Sequence, residues 1–185
     1  MHGTIDVKFD KGRLGKVTER LLVHMVAWRN RPDVARWFWS QPRLTVAKQF
    51  EWFTEYEHDE RQVRFIIYSE GGKPIGSCGL TDIWPMDGLA DVTIYIGEPW
   101  ARNGGYASAA LKALIHYAFL WHQPQLRRLT ARVFADNAAS LALFEGLGFK
   151  REALMREGHI YPEGTTVDVE ILGLLKSEMK LEAEQ

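Results

Sequence analysis

Two clusters in the 185-residue chain have residue types and spacings that could do chemistry. The first is Glu98-Pro99-Trp100-Ala101-Arg102-Asn103-Gly104-Gly105-Tyr106-Ala107-Ser108. It lies between an alternating run, Val92 to Ile96, and the clearest helical periodicity in the chain, formed by Ala107, Ala110, Leu111, Leu114, Ile115 and Ala118. Backbone N–H groups at a helix start lack intrahelical partners, and the helix dipole adds about half a positive charge there. Such a loop can hold an anion. Gly104 and Gly105 carry no Cβ to keep a phosphate away, Asn103 tolerates left-handed geometry, and Arg102 adds a positive charge. Taken alone, a Gly-Gly turn into a helix is also what a plain connection looks like. No Gly-Lys-Ser/Thr follows and the three-glycine spacing is absent, so neither a Walker loop nor a dinucleotide fingerprint is present.

The second cluster runs from Asn137 through Ser140 and Phe144 to Gly148-Phe149. Asn137 and Ser140 have the spacing of cap-turn polar groups, and Gly148 can end the helix between them in a left-handed turn. Around these two clusters stand single residues with two readings each. Asp91 opens a strand and could accept a proton through water, or serve as a surface carboxylate. His159 falls between the last two strands, where it could border a site or simply be a solvent-exposed loop histidine. Trp28, Trp37, Trp39 and Trp52 place four of the seven tryptophans in one 25-residue stretch. They can line a cleft or pack beneath helices. The run Glu51, Glu55, Glu57, Asp59 and Glu60 can be a solvated helix face or an attractor of cations. Cys78, flanked by Ser77 and Gly79, is a small core residue.

The elements that must position these groups follow from periodicity. A weak alternation at Thr4–Phe9 predicts a first strand. Leu21, Leu22, Met25 and Trp28 predict a helix capped by Thr18. Pro32 opens a short helical turn, and Thr45 caps a helix with Val46, Phe50, Phe53 and Tyr56 on its apolar stripe. Strands are expected at Val63–Tyr68, Ile75–Asp82, Val92–Ile96, Arg128–Phe134, 149–156 and 166–174, with helices from about Ala107 towards Pro124 and from Asn137 to Leu147. The result is an α/β (α+β) protein: helices, then β-β-β-α-β-α-β-β.

Composition narrows the function classes. With 23 Lys+Arg against 24 Asp+Glu the formal charge is −1, which provides no bulk field for nucleic acid or an anionic membrane. One cysteine forms no intramolecular disulfide, and no Cys/His cluster has metal spacing, so no metal is expected. No apolar run approaches the ~20 residues that span a bilayer. Met1 to Asp6 show neither a basic nor an apolar leader region, and cytoplasmic residence is the expectation.

Arg102-x-x-Gly105-x-Ala107, followed one strand later by Asn137-x-x-Ser140 and Leu147-Gly148-Phe149, resembles the GNAT superfamily of acyl-CoA-dependent N-acetyltransferases. The resemblance covers about residues 60–175, supported by Trp28-Arg29-Asn30-Arg31-Pro32-Asp33. It is strongest to the branch that includes ribosomal-protein N-terminal and spermidine acetyltransferases. It implies a mixed, mostly antiparallel sheet of about seven strands with a splayed strand pair. It also implies one acetyltransferase domain over 1–176, with acceptor-side helices at 1–60, an acyl-CoA core at 61–176, and a polar tail at 177–185.

By the same resemblance, the amides of Arg102, Asn103, Gly104, Gly105, Tyr106, Ala107 and Ser108 would cradle the pyrophosphate of acetyl-CoA. The backbone of Ile94, Tyr95 and Ile96 would lie along the pantetheine arm, with Asn137 near it, and Ser140 would face the thioester sulfur. Phe144 stands where many relatives carry a Tyr that protonates the departing thiol, which leaves Ser140 as the nearest acid and Asp91 as a water-relayed base. Trp28, Trp37, Trp39 and His159 would border the acceptor. The implied acceptor is a small-molecule amine or a protein N-terminus, with a polyamine or aminosugar as alternative, on a monomer or homodimer. An acyl-CoA-binding module without turnover is the reading of another class.

Overall fold

A computed structural model describes residues 6–122 and 124–179. One eight-stranded sheet runs through them in the order β1-β2-β3-β4-β5-β6-β8-β7. Two short strands, β1 (Val7–Phe9) and β2 (Gly12–Lys16), form a hairpin ahead of the helices and add β2 to the edge of β3 (Val63–Ser69), with Leu14 opposite Ile67. The sheet therefore has eight strands where about seven were expected; β1 falls within the expected first strand, and β2 is the addition ahead of the helices. Of the first expected strand, Thr4 and Ile5 lie outside the described residues.

Thr18 makes no side-chain cap bond; a 3-10 turn at Glu19–Leu21 leads into α1 (Leu22–Arg29). The four-residue α2 (Pro32–Ala35) follows, then α3 (Val46–Tyr56), capped as expected by Thr45 accepting from the Lys48 amide. The buried stripe of α3 is Gln49, Phe53 and Tyr56; Val46 and Phe50 face solvent. β4 (Pro74–Trp84) and β5 (Leu89–Ile96) continue the antiparallel sheet. After α4 (Tyr106–His116) and a π turn at Tyr117–Trp121 come β6 (Arg128–Phe134), α5 (Ala138–Gly146), β7 (Lys150–Ile160) and β8 (Thr166–Leu175). The start of the expected tail is ordered: Lys176–Glu178 form a turn, and Glu178 pairs with Lys150 at 2.5 Å.

Strand alternation sorts the core onto two faces. Phe65, Ile67, Val92 and Ile94 face α4 and α5 together with Leu111, Leu114 and Phe144. Ile66 and Tyr95 face the other way, onto Leu22, Met25 and Trp28 of α1 and Phe53 and Tyr56 of α3. Every neighbouring pair is antiparallel except β5 and β6, which run parallel through Leu89↔Arg128, Ala90↔Leu129 and Asp91↔Thr130 and then part. Beyond that point β5 stays with β4 as far as Ile96↔Gly76, and β6 stays with β8 as far as Phe134↔Val169. The sheet is split where the two layers of helices face each other across it.

Candidate active site

The split opens into a cleft of about 530 Å³ that reaches both faces of the sheet. On the α5 side it is lined by Asn137, Ser140 and Phe144, and on the α1 side by Arg29, Trp37, Phe38 and Trp39. β5 contributes Asp91 to Tyr95, and β6 contributes Arg132 to Phe134. Past Asp91 and Thr130 these strands present main-chain edges that no neighbouring strand covers, which is where an extended chain bearing amides could pair.

The loop after β5 has the expected form. Asn103 adopts φ 59° and Gly105 φ 79°, the left-handed region, and Gly105 is the N-cap of α4. The amides of Asn103 through Ser108 donate to no backbone carbonyl among the described residues. Arg102 is used differently from the sequence expectation: its side chain donates to the Ile96 carbonyl at 3.3 Å and to Asp33 at 2.5 Å, tying the loop to α2. The cation on the loop is instead Lys11, at the β1–β2 turn, whose Nζ donates to the Gly104 carbonyl at 3.0 Å. A groove of about 730 Å³, lined by Lys8, Lys11, Gly105, Ser108 and His116, runs from there along α4. Nothing in the local sequence marked Lys11; only the hairpin brings it there.

The residues beside the split are held as follows. Asn137 caps α5 by accepting from the Ser140 amide at 3.1 Å, so its side-chain oxygen is engaged within the turn. The Ser140 hydroxyl bonds to no other described residue, and Ser140 is half-buried on the cleft wall. Phe144 is buried edge-on to Phe149 at 5.1 Å, with no phenol in its place. Asp91 pairs with Arg132 Nε at 3.1 Å and is 18% exposed. Burial raises its pKa above the ordinary carboxylate value, and Arg132 draws it back only in part.

The tryptophans divide. Trp28 is 2% exposed, packed in the core and donating Nε1 to Glu98 at 2.8 Å, so it braces the end of β5 and does not line the cleft. Its ring fills the space beside Gly97, where a Cβ would sit 2.0 Å from Trp28 Cγ. Trp37 is half-buried and Trp39 is largely exposed, and both line the cleft. His159 is in β7, not in a loop: it stacks on Phe134 at 4.5 Å and meets Trp39 and Tyr161 edge-on, both at 5.4 Å. None of Glu51, Glu55, Glu57, Asp59 and Glu60 lines the cleft.

Comparison with known proteins decides the family. The profile of the acetyltransferase (GNAT) domain matches residues 13–150. This chain belongs to the GNAT family. The uncharacterized N-acetyltransferase p20 of Bacillus licheniformis is 29% identical over 87% of this chain and 96% of its own. The probable N-acetyltransferase YjcK of Bacillus subtilis is 30% identical over 72% of this chain and 75% of its own. Among solved structures, spermidine N-acetyltransferase of Vibrio cholerae, in complex with CoA and spermine, superposes with a TM-score of 0.83 at 21% identity, covering 89% of this chain and 95% of that one. The fold is the GNAT fold, and the chain is an acetyl-CoA-dependent acetyltransferase. The described residues contain no group of three or more His, Cys, Asp or Glu side chains able to hold a metal ion.

The residues present fit acetyl-CoA. This GNAT chain offers an amide cradle in which Gly105 leaves open the space a Cβ would take, a lysine on the cradle, and two uncovered strand edges leading inward.

Proposed function

We propose that this enzyme acetylates a primary amine by direct attack within a ternary complex. The observation that carries the proposal is the single cleft through the split sheet, with Ser140 on one side and Trp37 and Trp39 on the other. Amine and acyl group can therefore meet without a covalent enzyme intermediate, and the buried Cys78, whose thiol pKa burial pushes up, is no nucleophile.

Acetyl-CoA, when bound, supplies an activated acyl thioester. The amides of Asn103 to Ser108 and Lys11 would hold its phosphates, and the free edges of Ile94, Tyr95 and Ile96 would align its arm. One of those β5 amides would also stabilise the negative charge that develops on the carbonyl oxygen. The amine nitrogen forms the new C–N bond as the C–S bond breaks; one proton leaves the nitrogen and one is gained by the departing sulfur. Asp91 accepts the first through water, and its raised pKa brings it nearer to that task. Ser140 relays the second, passing its hydroxyl proton to sulfur as it takes one from cleft water.

A simple thiol of pKa about 8.5 leaves as thiolate at pH 7 at a cost of only about 2 kcal/mol, so the absence of a Tyr at 144 slows the reaction modestly. An α-amine is roughly a tenth neutral at pH 7, against below ~0.1% for a lysine-like amine. With one partly offset carboxylate as base, a protein N-terminus or a small amine of low pKa is the favoured acceptor. Polyamines form the second reading, since the solved neighbour holds spermine, but the acidic run that would attract them does not line the cleft. Thiol release on mixing acetyl-CoA with a panel of amines tests the reading. Tight acetyl-CoA binding with no release would leave a binding module.

A further inference from the structure

Five charged residues line the cleft: Arg29, Arg64, Asp82, Asp91 and Arg132. Three have partners. Asp91 pairs with Arg132 at 3.1 Å, and Asp82 with Arg61 at 3.7 Å. Arg29 and Arg64 pair with no carboxylate among the described residues. Arg29 rests its guanidinium 4.3 Å over the Phe38 ring and leaves a buried Nε without a hydrogen-bond partner. Arg64 donates to the neutral oxygens of Thr93 at 3.1 Å and Gln62 at 3.4 Å.

Two half-buried guanidinium groups in one pocket favour an anion between them, because an unpaired charge partly withdrawn from water is costly. The described residues supply none. The acidic groups that interact with both arginines include Tyr95, and burial pushes its phenol up to about 12, so it is neutral at physiological pH despite them. Burial likewise lowers both arginines from their ordinary values, with Tyr95 opposing, yet an arginine keeps its proton in a protein.

The place of the pair is equally informative. Thr93 and Tyr95 point to the α1 face of β5, opposite Val92 and Ile94, which face α4 and α5. The arginines thus lie on the acceptor side and not on the side of the amide loop.

We propose that the acceptor carries a carboxylate in addition to its amine, and that Arg29 and Arg64 bind it. The inference rests on the acetyltransferase reading and narrows it to small amino carboxylates. A guanidinium fork matches a carboxylate in two parallel hydrogen bonds, and Trp37 and Trp39 offer apolar walls to the chain between the two charged ends. The same pair would repel a polyamine.

The test compares matched acceptors: amino acids with α-, β- and γ-placed amines, the corresponding amides, aminoalkyl phosphonates, and spermidine, each with saturating acetyl-CoA. Thiol release is read for the wild type and for Arg29→Gln, Arg64→Gln and Arg64→Lys, with melting curves to confirm folding. The expected result is a kcat/KM about tenfold to a hundredfold higher for at least one acid than for its amide, carried by KM, the range for a hydrogen bond to a charged group. That ratio should collapse in Arg64→Gln and shrink in Arg64→Lys. Phosphonates accepted in preference to carboxylates would overturn the carboxylate assignment. Equal rates with acid and amide in the wild type, spermidine as the preferred acceptor, or no turnover of any amino carboxylate while acetyl-CoA binds would each overturn the inference and leave the acetyl-CoA site standing. Failure to bind acetyl-CoA at all would remove both readings.

Discussion

Placing a negative charge at Gly105 separates the two properties that the loop combines. Gly105 has φ 79°, and a Cβ there would lie 3.4 Å from Lys11 Cε, an ordinary contact. Gly105→Ala therefore adds only backbone strain, roughly 1–2 kcal/mol for a left-handed non-glycine residue. For a domain of this size that lowers Tm by about 2–8 °C. Gly105→Glu carries the same strain, but its carboxylate sits at the start of α4 beside Lys11, where the helix dipole returns about 0.3–1 kcal/mol. The Glu variant should consequently melt no lower than the Ala variant.

Affinity should order the two the other way. A carboxylate about 6 Å from a phosphate charge, at an effective dielectric of about 20, repels it by about 3 kcal/mol, close to a hundredfold in Kd. Calorimetry with CoA measures this directly, and raising the salt should shrink the gap between the variants. The reasoning is refuted if Gly105→Glu binds CoA within threefold of Gly105→Ala, or if the Glu variant melts well below it.

Three other outcomes follow from the same geometry. The folded-state pKa of Asp91 is raised, so the stability that its protonated form contributes is present at low pH and lost as pH rises through that value. As a base it must be ionised, so the acid limb of kcat should lie above the ordinary carboxylate range, move higher in Arg132→Gln, and vanish with most of the activity in Asp91→Asn; an unshifted limb in Arg132→Gln would remove Asp91 from the reaction. Ser140→Ala should lower kcat by no more than about thirtyfold, the equivalent of the ~2 kcal/mol that thiolate departure costs; a larger loss would mean the hydroxyl does something other than protonate sulfur. Trp28→Phe strands the Glu98 carboxylate and removes buried ring atoms, roughly 3 kcal/mol or about 6–12 °C in Tm, and Gly97→Ala should remain damaging in that background, which keeps the Cγ and Cδ atoms its Cβ would meet, but far less so in Trp28→Ala, which removes them.

What could be read from sequence was whatever local chemistry enforces. The left-handed Asn103 and Gly105, the Asn137 cap and the Gly148 terminator are decided within a few residues, and the structure has them in place. The second strand, β2, was missed because Gly12-Arg13-Leu14-Gly15-Lys16 has almost no strand propensity of its own; one buried leucine and the open edge of β3 recruit it. His159 was placed in a loop because the expected strand ended at residue 156. In the structure β7 passes through an irregularity there, with Glu157 at φ 50° and its amide bonded to Asp168 at 2.7 Å. Trp28 was read as cleft wall because its partner, Glu98, lies 70 residues away.

The same distinction explains why acceptor chemistry was invisible at first. Arg29 ends one helix and Arg64 sits in a strand 35 positions later, and each looks like an ordinary surface cation until the sheet brings them to one pocket. Charge counted along the chain singled out the acidic run at 51–60, either a solvated face or an attractor of cations. Counting it by cleft wall gives the opposite sign, because the acidic run is elsewhere and both cleft carboxylates are already paired. Affinity for a polyamine would require this pocket to bury positive charge against two guanidinium groups it has no anion to offset. A carboxylate relieves that deficit, and its bonds to the two forks would fix the position from which the amine approaches the split between β5 and β6.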